Sequence, residues 1–589
     1  MVRELERSEV ASVPITDPVI KRELQTFQRE AAAFLSGELS PEDYRAFRLQ
    51  HGVYGQRQSN VHMIRVKIPH GSLTADQFEA IGDIIDRYSP RKIGHVTTRQ
   101  DIQMYFVPMD AAAKVLEELA EVGLTTREAC GNTVRNVTAD HYSGLCEDTV
   151  FDVTPYAEAT ARYFLRNPVN QKLPRKFKIT FSSCPHDWGM IPIHDLGAMA
   201  VIRNGKKGFA VYVGGGLGAA PRLAELYDDF VPAEELLRHI EAILRVFDRH
   251  GERRNRNKAR IKFLVARLGI EEVRRLVREE LKSLPPIDSG VYREPDPAFL
   301  EEAASHPAWA ASHPSIEPRP GFDLWKRTNA VRQRQEGFRM CYILLPIGDL
   351  TIPQFRAVAE MARRYAGGKL RTTQNQNLVL RWVHEADLPY LHADLVDAGL
   401  AEDRVLSIYD VQTCPGADTC NLGVTSSKGL GRAIREALFA ANGVFEDPLV
   451  QKIKINVSGC PNSCGQHHIA DLGFYGMAVN KDGRHAPAFQ LLVGGRGSGD
   501  GRLAKMTMKV GARRVPEAVV KLVSHYIERR NEGEEFGDWA LRVGGPYIQE
   551  LLAEYKEVPA FTEDPTAYVD WGGTSLFSLE GLGEGECAV

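Results

Sequence analysis

The chain contains the same long unit twice, and this duplication limits its possible folds more than any other feature. KFKITFSSCPHDWGMIPIHDLG (residues 176–197) aligns with KIKINVSGCPNSCGQHHIADLG (residues 452–473) at a constant offset of 276 residues. Upstream, VTTRQ (96–100) pairs with RTTQN (371–375), and QRQ occurs at 56–58 and again at 333–335. Solenoid repeats span only about 20–50 residues, so this is a duplicated domain. We therefore predict two similar halves related by a pseudo-two-fold axis, with a shared ligand between them.

Each half shows the same order of predicted elements. IRVKIP and CYILLPI are predicted strands, followed by the helices TADQFEAIGDIIDRY and TIPQFRAVAEMARRY and then by the strands HVTTRQDIQMYFV and KLRTTQNQNLVLRWV. KFKITFS and KIKINVS are further strands that each run into a Cys-Pro loop. EELLRHIEAILRVFDRH and IEEVRRLVREELKSL are amphipathic helices. The predicted fold class is mixed α+β, internally duplicated.

Composition limits the partners and the compartment. The 589 residues are 43% hydrophobic and 25% charged, which suits several globular domains. The formal net charge of −4 gives no indication of nucleic-acid binding. The N-terminus lacks the apolar core of a signal peptide, and no run approaches the ~18 apolar residues of a membrane span. Nine cysteines do not suggest a disulfide framework. We expect a cytoplasmic protein with no membrane or nucleic-acid partner.

Four of the cysteines form the motif that carries the chemistry. Cys414 and Cys420 are spaced C-x5-C, and Cys460 and Cys464 follow as C-x3-C. Four soft thiolates suit iron–sulfur or zinc chemistry. Zinc knuckles usually have C-x2-C to C-x4-C spacing, so the wider pair, with proline after the first cysteine of each pair, favours a [4Fe–4S] cluster. The alternatives are a structural zinc protein, a cluster carrier without catalysis, and chance cysteines in a reduced protein.

The two halves have diverged at this motif. At the 276-residue offset, the four cysteines align with Thr138, Gly144, Cys184 and Trp188, of which only Cys184 has a sulfur. We therefore expect a cluster in the second half alone. The first half instead has basic residues at matching places: Arg65, Arg99, Arg135, Lys176 and Lys178. This division suggests that electrons pass from one half to an anion held by the other.

These motifs closely resemble those of the sirohaem- and [4Fe–4S]-containing assimilatory sulfite and nitrite reductases, over residues 45–560. The resemblance implies the three-domain architecture of sirohaem reductases, with sirohaem and a [4Fe–4S] cluster as cofactors. Cys414, Cys420, Cys460 and Cys464 match the cluster ligands. The resemblance also implies that Cys464 bridges to the sirohaem iron and that Asn462, in the same loop, hydrogen-bonds near the cluster.

The resemblance assigns the basic residues to two groups. Arg65, Arg135, Lys176 and Lys178 match the residues that bind the substrate anion and supply protons; the alternative for any one of them is a solvated surface base. Sirohaem carries eight carboxylates, and the strand pattern TRQxxQ assigns Arg99 and Gln103 to it. Arg254, Lys258 and Arg260, in RRNRNKARIKF, are further candidates, although this run could equally be a helix surface.

Three other features were weighed. Tyr54 and Cys130 resemble a tyrosine and a cysteine that are covalently joined beside the haem in some bacterial members; an ordinary buried thiol and aromatic ring is the alternative. VGGGLGA (213–219) is similar to a dinucleotide fingerprint, but no βαβ context follows and it aligns with VGGRGSG in the second half, so we reject that reading. His467 and His468 are interpreted as structural or near the cofactor.

The predicted reaction is the six-electron reduction of sulfite to sulfide, with nitrite reduction to ammonia as the alternative. Lys176-Phe-Lys178 favours sulfite, because a second lysine suits a dianion better than a monoanion. No flavin or nicotinamide module is visible, so we expect ferredoxin or another separate protein as electron donor. Lys428, Arg432 and Lys452 are candidates for its contact surface. We expect a monomer.

The predicted domain boundaries follow the repeat. They are an N-terminal arm (1–44), a first ferredoxin-like half-domain (45–130), a first sirohaem and anion-binding domain (131–284), a linker (285–330), a second ferredoxin-like half-domain (331–400), a [4Fe–4S] and sirohaem domain (401–560) and a C-terminal tail (561–589). The first 40 residues and the acidic tail are expected to be peripheral.

Overall fold

The computed structural model of the chain describes residues 17–288, 306–441, 443, 445–583 and 586. Within these ranges no helix is long and apolar enough to cross a bilayer. The described helices are α1 Pro18–Leu35, α2 Pro41–Gln50, α3 Ala75–Tyr88, α4 Ala112–Glu121, α5 Thr154–Phe164, α6 Leu236–His250, α7 Ile261–Leu268, α8 Ile270–Ser283, α9 Phe322–Asn329, α10 Ile352–Tyr365, α11 Leu388–Asp397, α12 Ser427–Ala440, α13 Pro448–Gln451, α14 Val515–Arg529 and α15 Phe536–Leu551.

The strands form four sheets of five. They are β1 Val53–Gly55, β2 Val61–Val66, β3 Ser72–Thr74, β4 Ile93–Val96, β5 Ile102–Pro108, β6 Thr138–Ala139, β7 Ile179–Ser182, β8 Leu196–Arg203, β9 Lys206–Val213, β10 Glu225–Pro232, β11 Ala330–Arg332, β12 Phe338–Ile343, β13 Asp349–Thr351, β14 Lys369–Thr372, β15 Leu378–His384, β16 Gln412–Thr413, β17 Ile455–Ser458, β18 Leu472–Lys481, β19 Arg484–Val493 and β20 Lys505–Gly511.

Each of the two central sheets takes one strand from the other half of the chain. The first sheet has the order β1-β2-β5-β4-β13, in which β13 belongs to the second half. The second has the order β11-β12-β15-β14-β3, in which β3 belongs to the first half. Asp349 pairs with His95, and Lys369 pairs with Thr74, both in antiparallel register. Because each sheet needs a strand from the other half, the two halves form one folding unit.

Helices α3 and α10 pack against each other at the pseudo-two-fold axis. Each begins with a capping box, in which Thr74 and Thr351 exchange hydrogen bonds with the glutamine three residues later. The rings of Phe78 and Phe355, at equivalent positions of the repeat, lie 4.6 Å apart. A Cβ on Gly82 would lie 2.6 Å from the Cβ of Phe355, so the close approach of the helices requires glycine there.

The two outer sheets hold the Cys-Pro loops. Their orders are β10-β9-β8-β7-β6 and β16-β17-β18-β19-β20. In the first, β6, β7 and β8 run parallel to one another, and in the second β16, β17 and β18 do so. The next strand of each sheet, β9 or β19, is antiparallel to its neighbour. β7 and β17 therefore end at the same edge as the short strands beside them, and the Cys-Pro loops begin at that edge. The mixed, internally duplicated α+β fold predicted from the sequence is confirmed.

Two predicted strands are wrong in detail, because each is a hairpin. HVTTRQDIQMYFV divides into β4 and β5, and KLRTTQNQNLVLRWV divides into β14 and β15. At the first turn, Thr97 N–H donates to Asp101 O at 2.9 Å, and the Thr97 hydroxyl accepts from the Asp101 N–H. At the second, Thr373 and Asn377 make the same two contacts. A threonine hydroxyl can close such a turn in place of a ladder bond.

Three segments expected to be peripheral or irregular carry more structure. Helix α9 lies inside the predicted linker, of which residues 289–305 fall outside the described ranges. The predicted N-terminal arm is helical from Pro18 and buries Phe27 and Tyr44 in the central core. Glu586 of the tail forms an ion pair with Arg48. The N-terminal helices pack on the core because their apolar side chains lie on one helix face.

Candidate active site

The four motif cysteines lie on two loops at one edge of the second outer sheet. Cys414 follows β16, and Cys460 follows the parallel neighbouring strand β17. Cys420 and Cys464 complete the two loops, and Cys464 is the exposed member of the set. The thiolates interact electrostatically, since Cys464, Cys414 and Cys420 all raise the pKa of the Cys460 thiol, after burial as the largest cause. The structure therefore brings all four predicted ligands together.

Backbone N–H groups point at these sulfurs. Gly459 N–H donates to Cys414 Sγ at 3.3 Å, and the Ser427 hydroxyl lies 3.4 Å from the same atom. The Asn462 N–H donates to Cys460 and lowers its thiol pKa, against the effect of burial. Hydrogen bonds to sulfur are one of the ways in which a protein adjusts the potential of an iron–sulfur cluster. Asn462 thus acts on the sulfur through its backbone.

The spacing of the sulfurs fits a cluster better than a single metal ion. A tetrahedral zinc with Zn–S bonds of about 2.3 Å would draw its sulfurs to within ~4 Å of one another. Among the described residues, one group of three donor side chains has its ligand atoms all within 4.8 Å of one another. None of these four cysteines belongs to that group. The donor set and its wider spacing fit a [4Fe–4S] cluster.

The QRQ segment of each half closes the cysteine loop of the other. Arg57 N–H donates to Thr419 O at 3.0 Å, and the side-chain amide of Gln58 donates to Asp418 O at 2.9 Å. In the second half, the Gln335 amide donates to Gly144 O at 2.9 Å. The repeated motif therefore has a repeated role, which is to hold the loop of the partner half.

The first half differs from the predicted alignment at its cysteine loop. The cysteine pattern was predicted to align at an offset of 276, but the hydrogen bonds of the earlier loop match at 274, so Cys146 stands where Cys420 does. Two of the four cluster positions therefore keep a sulfur, Cys146 and Cys184. Three backbone hydrogen bonds of the first half have a counterpart in the second. Cys146 N–Tyr142 O matches Cys420 N–Gly416 O, and Thr149 N–Cys146 O matches Gly423 N–Cys420 O. Val150 N–Ser183 O matches Val424 N–Gly459 O.

Aromatic side chains occupy the place of a cluster in the first half. Trp188 stands at the position of Cys464 and stacks on Tyr142 with ring centroids 4.9 Å apart. Tyr142 stands at the position of Gly416, and both rings belong to a hydrophobic cluster that includes Tyr342. The absence of a cluster from the first half remains a prediction, and this packing supports it.

Two predicted anion-site arginines converge on Tyr54. Arg65 Nη1 and Arg135 Nη1 each lie 3.3 Å from the Tyr54 hydroxyl. With the Gln103 amide oriented to suit its neighbours, its oxygen accepts from Arg65 Nε at 2.8 Å and from Nη2 at 2.6 Å. Gln103, predicted to bind sirohaem, thus orients an arginine. Held guanidinium groups of this kind bind oxyanions with little reorganisation.

Lys178 lies within electrostatic reach of Cys464 and of the other predicted bases. Lys178 has a pKa well below its usual value because of burial and of the positive charges of Arg99, Arg260 and Lys176, while Cys464 acts in the opposite direction. Arg260 forms an ion pair with Asp195 at 2.6 Å. The Thr98 hydroxyl donates to the Cys464 carbonyl at 3.0 Å, which fixes the TRQ turn against the cluster loop. Residues of both halves therefore share one site.

Arg99 is buried with few acceptors. Its Nη1 lies 2.8 Å from His194 Nε2, and its Nε has no hydrogen-bond partner among the described residues. Burial lowers the pKa of Arg99 to about 10. A buried guanidinium with an unused N–H suits the carboxylates of a macrocycle such as sirohaem.

Two predicted sirohaem residues lie at the surface. Arg254 and Lys258 are exposed, on the turn before α7, while Arg260 of the same run points into the site. Their role toward sirohaem stays a prediction. The buried lysine of this run is Lys262, whose Nζ donates to Leu217 O at 2.9 Å and to Ala220 O at 2.6 Å. Those carbonyls belong to the VGGGLGA loop and its next residue, so the loop serves as a structural partner of Lys262.

Three residues of the site were missed from the sequence. Burial and the neighbouring Arg260 lower the pKa of Lys262 to about 7. Burial raises the pKa of Asp101 to about 6, against the opposing effect of Arg65 and Arg99. Burial and Arg99 keep His194 neutral. Lys262 and Asp101 lie in motifs already noted, RRNRNKARIKF and the TRQ turn, but their burial has no signal in the sequence.

Tyr54 and Cys130 lie in the same small buried cluster, with Leu49, Met63 and Tyr105. The covalent link between them stays a prediction. An intact mass two hydrogens lighter than the sequence mass would establish the link if this deficit disappears in Cys130→Ser. An unchanged mass would contradict it.

The two histidines of the cysteine loop are buried. Both ring nitrogens of His467 lack a hydrogen-bond partner among the described residues, and burial lowers its pKa to about 2. The His468 Nε2 lies 3.0 Å from Gly218 O, in the glycine loop of the first half. His468 therefore connects the halves, and a structural role fits its contacts.

Comparison with known proteins agrees with this geometry. The family described as "Nitrite and sulphite reductase 4Fe-4S domain" matches residues 130–284 and 406–560, and "Nitrite/Sulfite reductase ferredoxin-like half domain" matches residues 54–122 and 331–398. The chain belongs to the nitrite and sulphite reductase family. It is an oxidoreductase of this family, which binds sirohaem and a [4Fe–4S] cluster.

Its relatives have both names. A ferredoxin–nitrite reductase of Synechococcus elongatus is 29% identical over 472 residues, covering 78% of this chain and 85% of that protein. A sulfite reductase (ferredoxin) of Mycobacterium tuberculosis is 28% identical over 495 residues, covering 82% and 83%. The solved structure of the Mycobacterium tuberculosis NirA protein matches with a TM-score of 0.75 at 25% identity, covering 89% of this chain and 95% of that chain. These names do not choose between the two anions.

The close packing of the cysteine loops predicts the effect of Gly459→Ala. Its Cβ would lie 2.6 Å from Gly416 Cα and 2.7 Å from Thr425 O, so backbone would have to move. Overpacking of this kind costs about 1–3 kcal/mol. We expect iron and acid-labile sulfide per chain to fall, as measured on purified protein. Gly545→Ala, where no atom lies within 4 Å, is the control. Full iron content in Gly459→Ala would show that the contact is not needed.

Lys262 predicts a pH dependence of sirohaem binding. With a pKa of about 7 it is mostly charged below pH 7 and mostly neutral above it. A bound carboxylate favours the charged form. We therefore expect the affinity of sirohaem-free protein for sirohaem to fall as pH rises through 7, followed by absorbance. Lys262→Gln should bind more weakly and show a flatter profile, while Lys206→Gln, on an exposed hairpin, should match the wild type. Equal profiles in Lys262→Gln and wild type would contradict a role for Lys262 in binding a sirohaem carboxylate.

Proposed function

We propose that the chain catalyses the six-electron reduction of sulfite to sulfide at a sirohaem coupled to the [4Fe–4S] cluster, with electrons from ferredoxin. The observation that carries this is the position of Lys178, between Arg99, Arg260 and Lys176 and within electrostatic reach of Cys464. A concentration of positive charge within electrostatic reach of the exposed cluster cysteine suits an anion that is reduced there.

The chain's own residues supply binding charge and protons. Arg65 and Arg135 can each bind an oxyanion through paired N–H donors. Lys178, whose pKa is depressed, gives up a proton more readily than an ordinary lysine, which suits a general acid when oxygen leaves as water. The bound cofactors supply single electrons and an open iron position for the substrate.

Sulfite is favoured over nitrite by the second lysine. The Lys176-Phe-Lys178 sequence supplies two lysines where one would satisfy a monoanion, and the positive charge of Lys176 acts on Lys178. An additional cation attracts a dianion about twice as strongly as a monoanion at equal distance. The alternative is ferredoxin-dependent reduction of nitrite to ammonia, since relatives of similar identity have either name.

The test of this proposal is anaerobic turnover with a reduced viologen dye on wild type and Lys178→Asn. We expect wild-type kcat/KM to be higher for sulfite than for nitrite. The substitution should lower kcat/KM for sulfite by about 100-fold, the usual contribution of a general acid, and lower that for nitrite less. Lys452→Asn is the control, because Lys452 stands at the repeat position of Lys176 and is exposed and paired with Glu535. A wild-type preference for nitrite would make the alternative correct.

The electron donor is proposed to approach the exposed cysteine side of the second half. Of three candidate contacts, Lys428 is buried and paired with Asp349 at 2.6 Å, so a role in docking is not supported for it. Arg432, one turn further along α12, also approaches Asp349, at 3.7 Å, but 54% of its side chain is exposed. Lys452 is similarly exposed. Ferredoxins are acidic, so an exposed cation near the cluster suits their docking.

Arg432→Glu distinguishes an effect on ferredoxin docking from an effect on the reduction itself. We expect about a 10-fold lower kcat/KM for ferredoxin at low salt, because a reversed charge slows steered association. Turnover with viologen should be unchanged. Arg484→Glu, at the exposed turn between β18 and β19, is the control. Equal losses with viologen and ferredoxin would place the effect in the fold instead.

Three further predictions remain part of this proposal. They are the domain division given above, a monomeric state and a cytoplasmic location. Gel filtration of the holoenzyme with light scattering tests the second of these directly.

A further inference from the structure

The cysteine loops of the first half retain donor atoms that the proposed reaction does not use. Cys146 and Cys184 stand at the positions of Cys420 and Cys460. Burial raises the pKa of the Cys184 thiol, and the nearby Asp140 and Cys146 add to that rise. The stacked Trp188 and Tyr142 fill the remainder of the former cluster position. A four-iron cluster has no room there, but a single ion at the outer end of the loops needs much less.

Two further donors join Cys146 at that outer end. Donor atoms of Cys146, Asp148 and His186 all lie within 4.8 Å of one another. His186 Nε2 and Asp148 Oδ2 are 2.8 Å apart, and the side chains are 56% and 61% exposed. His186 stands at the repeat position of Asn462, so the first half has a ligand side chain where the second half has an amide. The site is open to an ion from solvent.

The donor set selects the kind of ion. Sulfur and imidazole with one carboxylate oxygen suit zinc, which takes four such ligands in a tetrahedron, whereas calcium and magnesium take oxygen ligands. The surrounding charge is negative, since Glu147 and Asp148 follow Cys146 and the charge of Asp140 acts on Cys184. Cys146, Asp148 and His186 already lie at distances from which a small ion can draw them together, and Cys184, on the loop that carries His186, is the candidate fourth ligand.

We propose that the first half binds one Zn²⁺ through Cys146, Cys184, His186 and Asp148, at the pseudo-symmetric counterpart of the [4Fe–4S] site. The ion takes the place of the thiol protons and joins the loop after β6 to the loop after β7. A metal thus crosslinks the two loops in each half, iron–sulfur in one and zinc in the other. The role in the first half is structural, because the protein supplies all four ligands.

The experiment uses the holoenzyme. It is stripped of loosely held ions with EDTA, equilibrated with Zn²⁺, passed through gel filtration and analysed for zinc and iron by mass spectrometry. We expect about one zinc per chain in addition to the iron, and Zn K-edge absorption with Zn–S distances of about 2.3 Å and Zn–N distances of about 2.0 Å. Loss of an outer partner of a metal ligand already costs about 10- to 100-fold in affinity, so Cys146→Ser and His186→Asn should each bind zinc at least about 100-fold more weakly.

Two controls keep the result interpretable. His250→Asn, an exposed histidine at the end of α6, should retain zinc as the wild type does. Unchanged iron content and sirohaem absorbance in the ligand variants show that they fold. The proposal is overturned if wild type retains no zinc, if the variants retain it equally, if the absorption shows no sulfur ligand, or if thiol counting finds a Cys146–Cys184 disulfide in the purified enzyme.

Discussion

The exchange of strands between the two halves is the constraint on which the site depends. β13 completes the sheet of the first half and β3 that of the second, so the halves are held in one fixed relation. That relation brings the TRQ turn of the first half against the Cys464 carbonyl and the Arg57 segment against the cluster loop. An active site made of two halves needs such a rigid connection, because small misplacements of binding groups lower rates sharply.

Within this frame the two halves differ in the size and the charge of the side chains on their equivalent loops. Glycines pack against backbone around the cluster loop of the second half, where Gly459 and Gly423 leave no room for a Cβ. At the equivalent places the first half has Ser183 and Thr149, and Tyr142 fills the position of Gly416. The first half has two sulfurs at the matching positions, Cys146 and Cys184, and has bases whose charges act near Cys464. The two halves therefore share the fold and differ in the groups that their loops carry.

The electrostatics of the site follow from this division. Lys178 and Lys262 both have lowered pKa values, chiefly from burial and then from neighbouring cations, which means that positive charge has been concentrated at some energetic cost. Such an arrangement is stable when anions are present to offset it, and a carboxylate-rich macrocycle and an oxyanion substrate are anions of this kind. Family membership and geometry thus agree on what the site receives.

The sequence by itself determined the duplication and the mixed α+β class, and it predicted the four cluster cysteines and the bases Arg65, Arg135, Lys176 and Lys178, because spacing and residue type are local properties. It could not show that HVTTRQDIQMYFV folds back at Thr97, since the turn depends on one hydroxyl replacing a ladder bond. It aligned Gly144 with Cys420 where the structure aligns Cys146, because a two-residue shift in one loop is invisible until hydrogen bonds fix the register. Only the tertiary structure decided that Lys262 is buried while Arg254 and Lys258 are exposed, and that Lys428 pairs with Asp349 instead of facing solvent. Burial and pairing depend on contacts between residues far apart in the chain, and no local pattern encodes them.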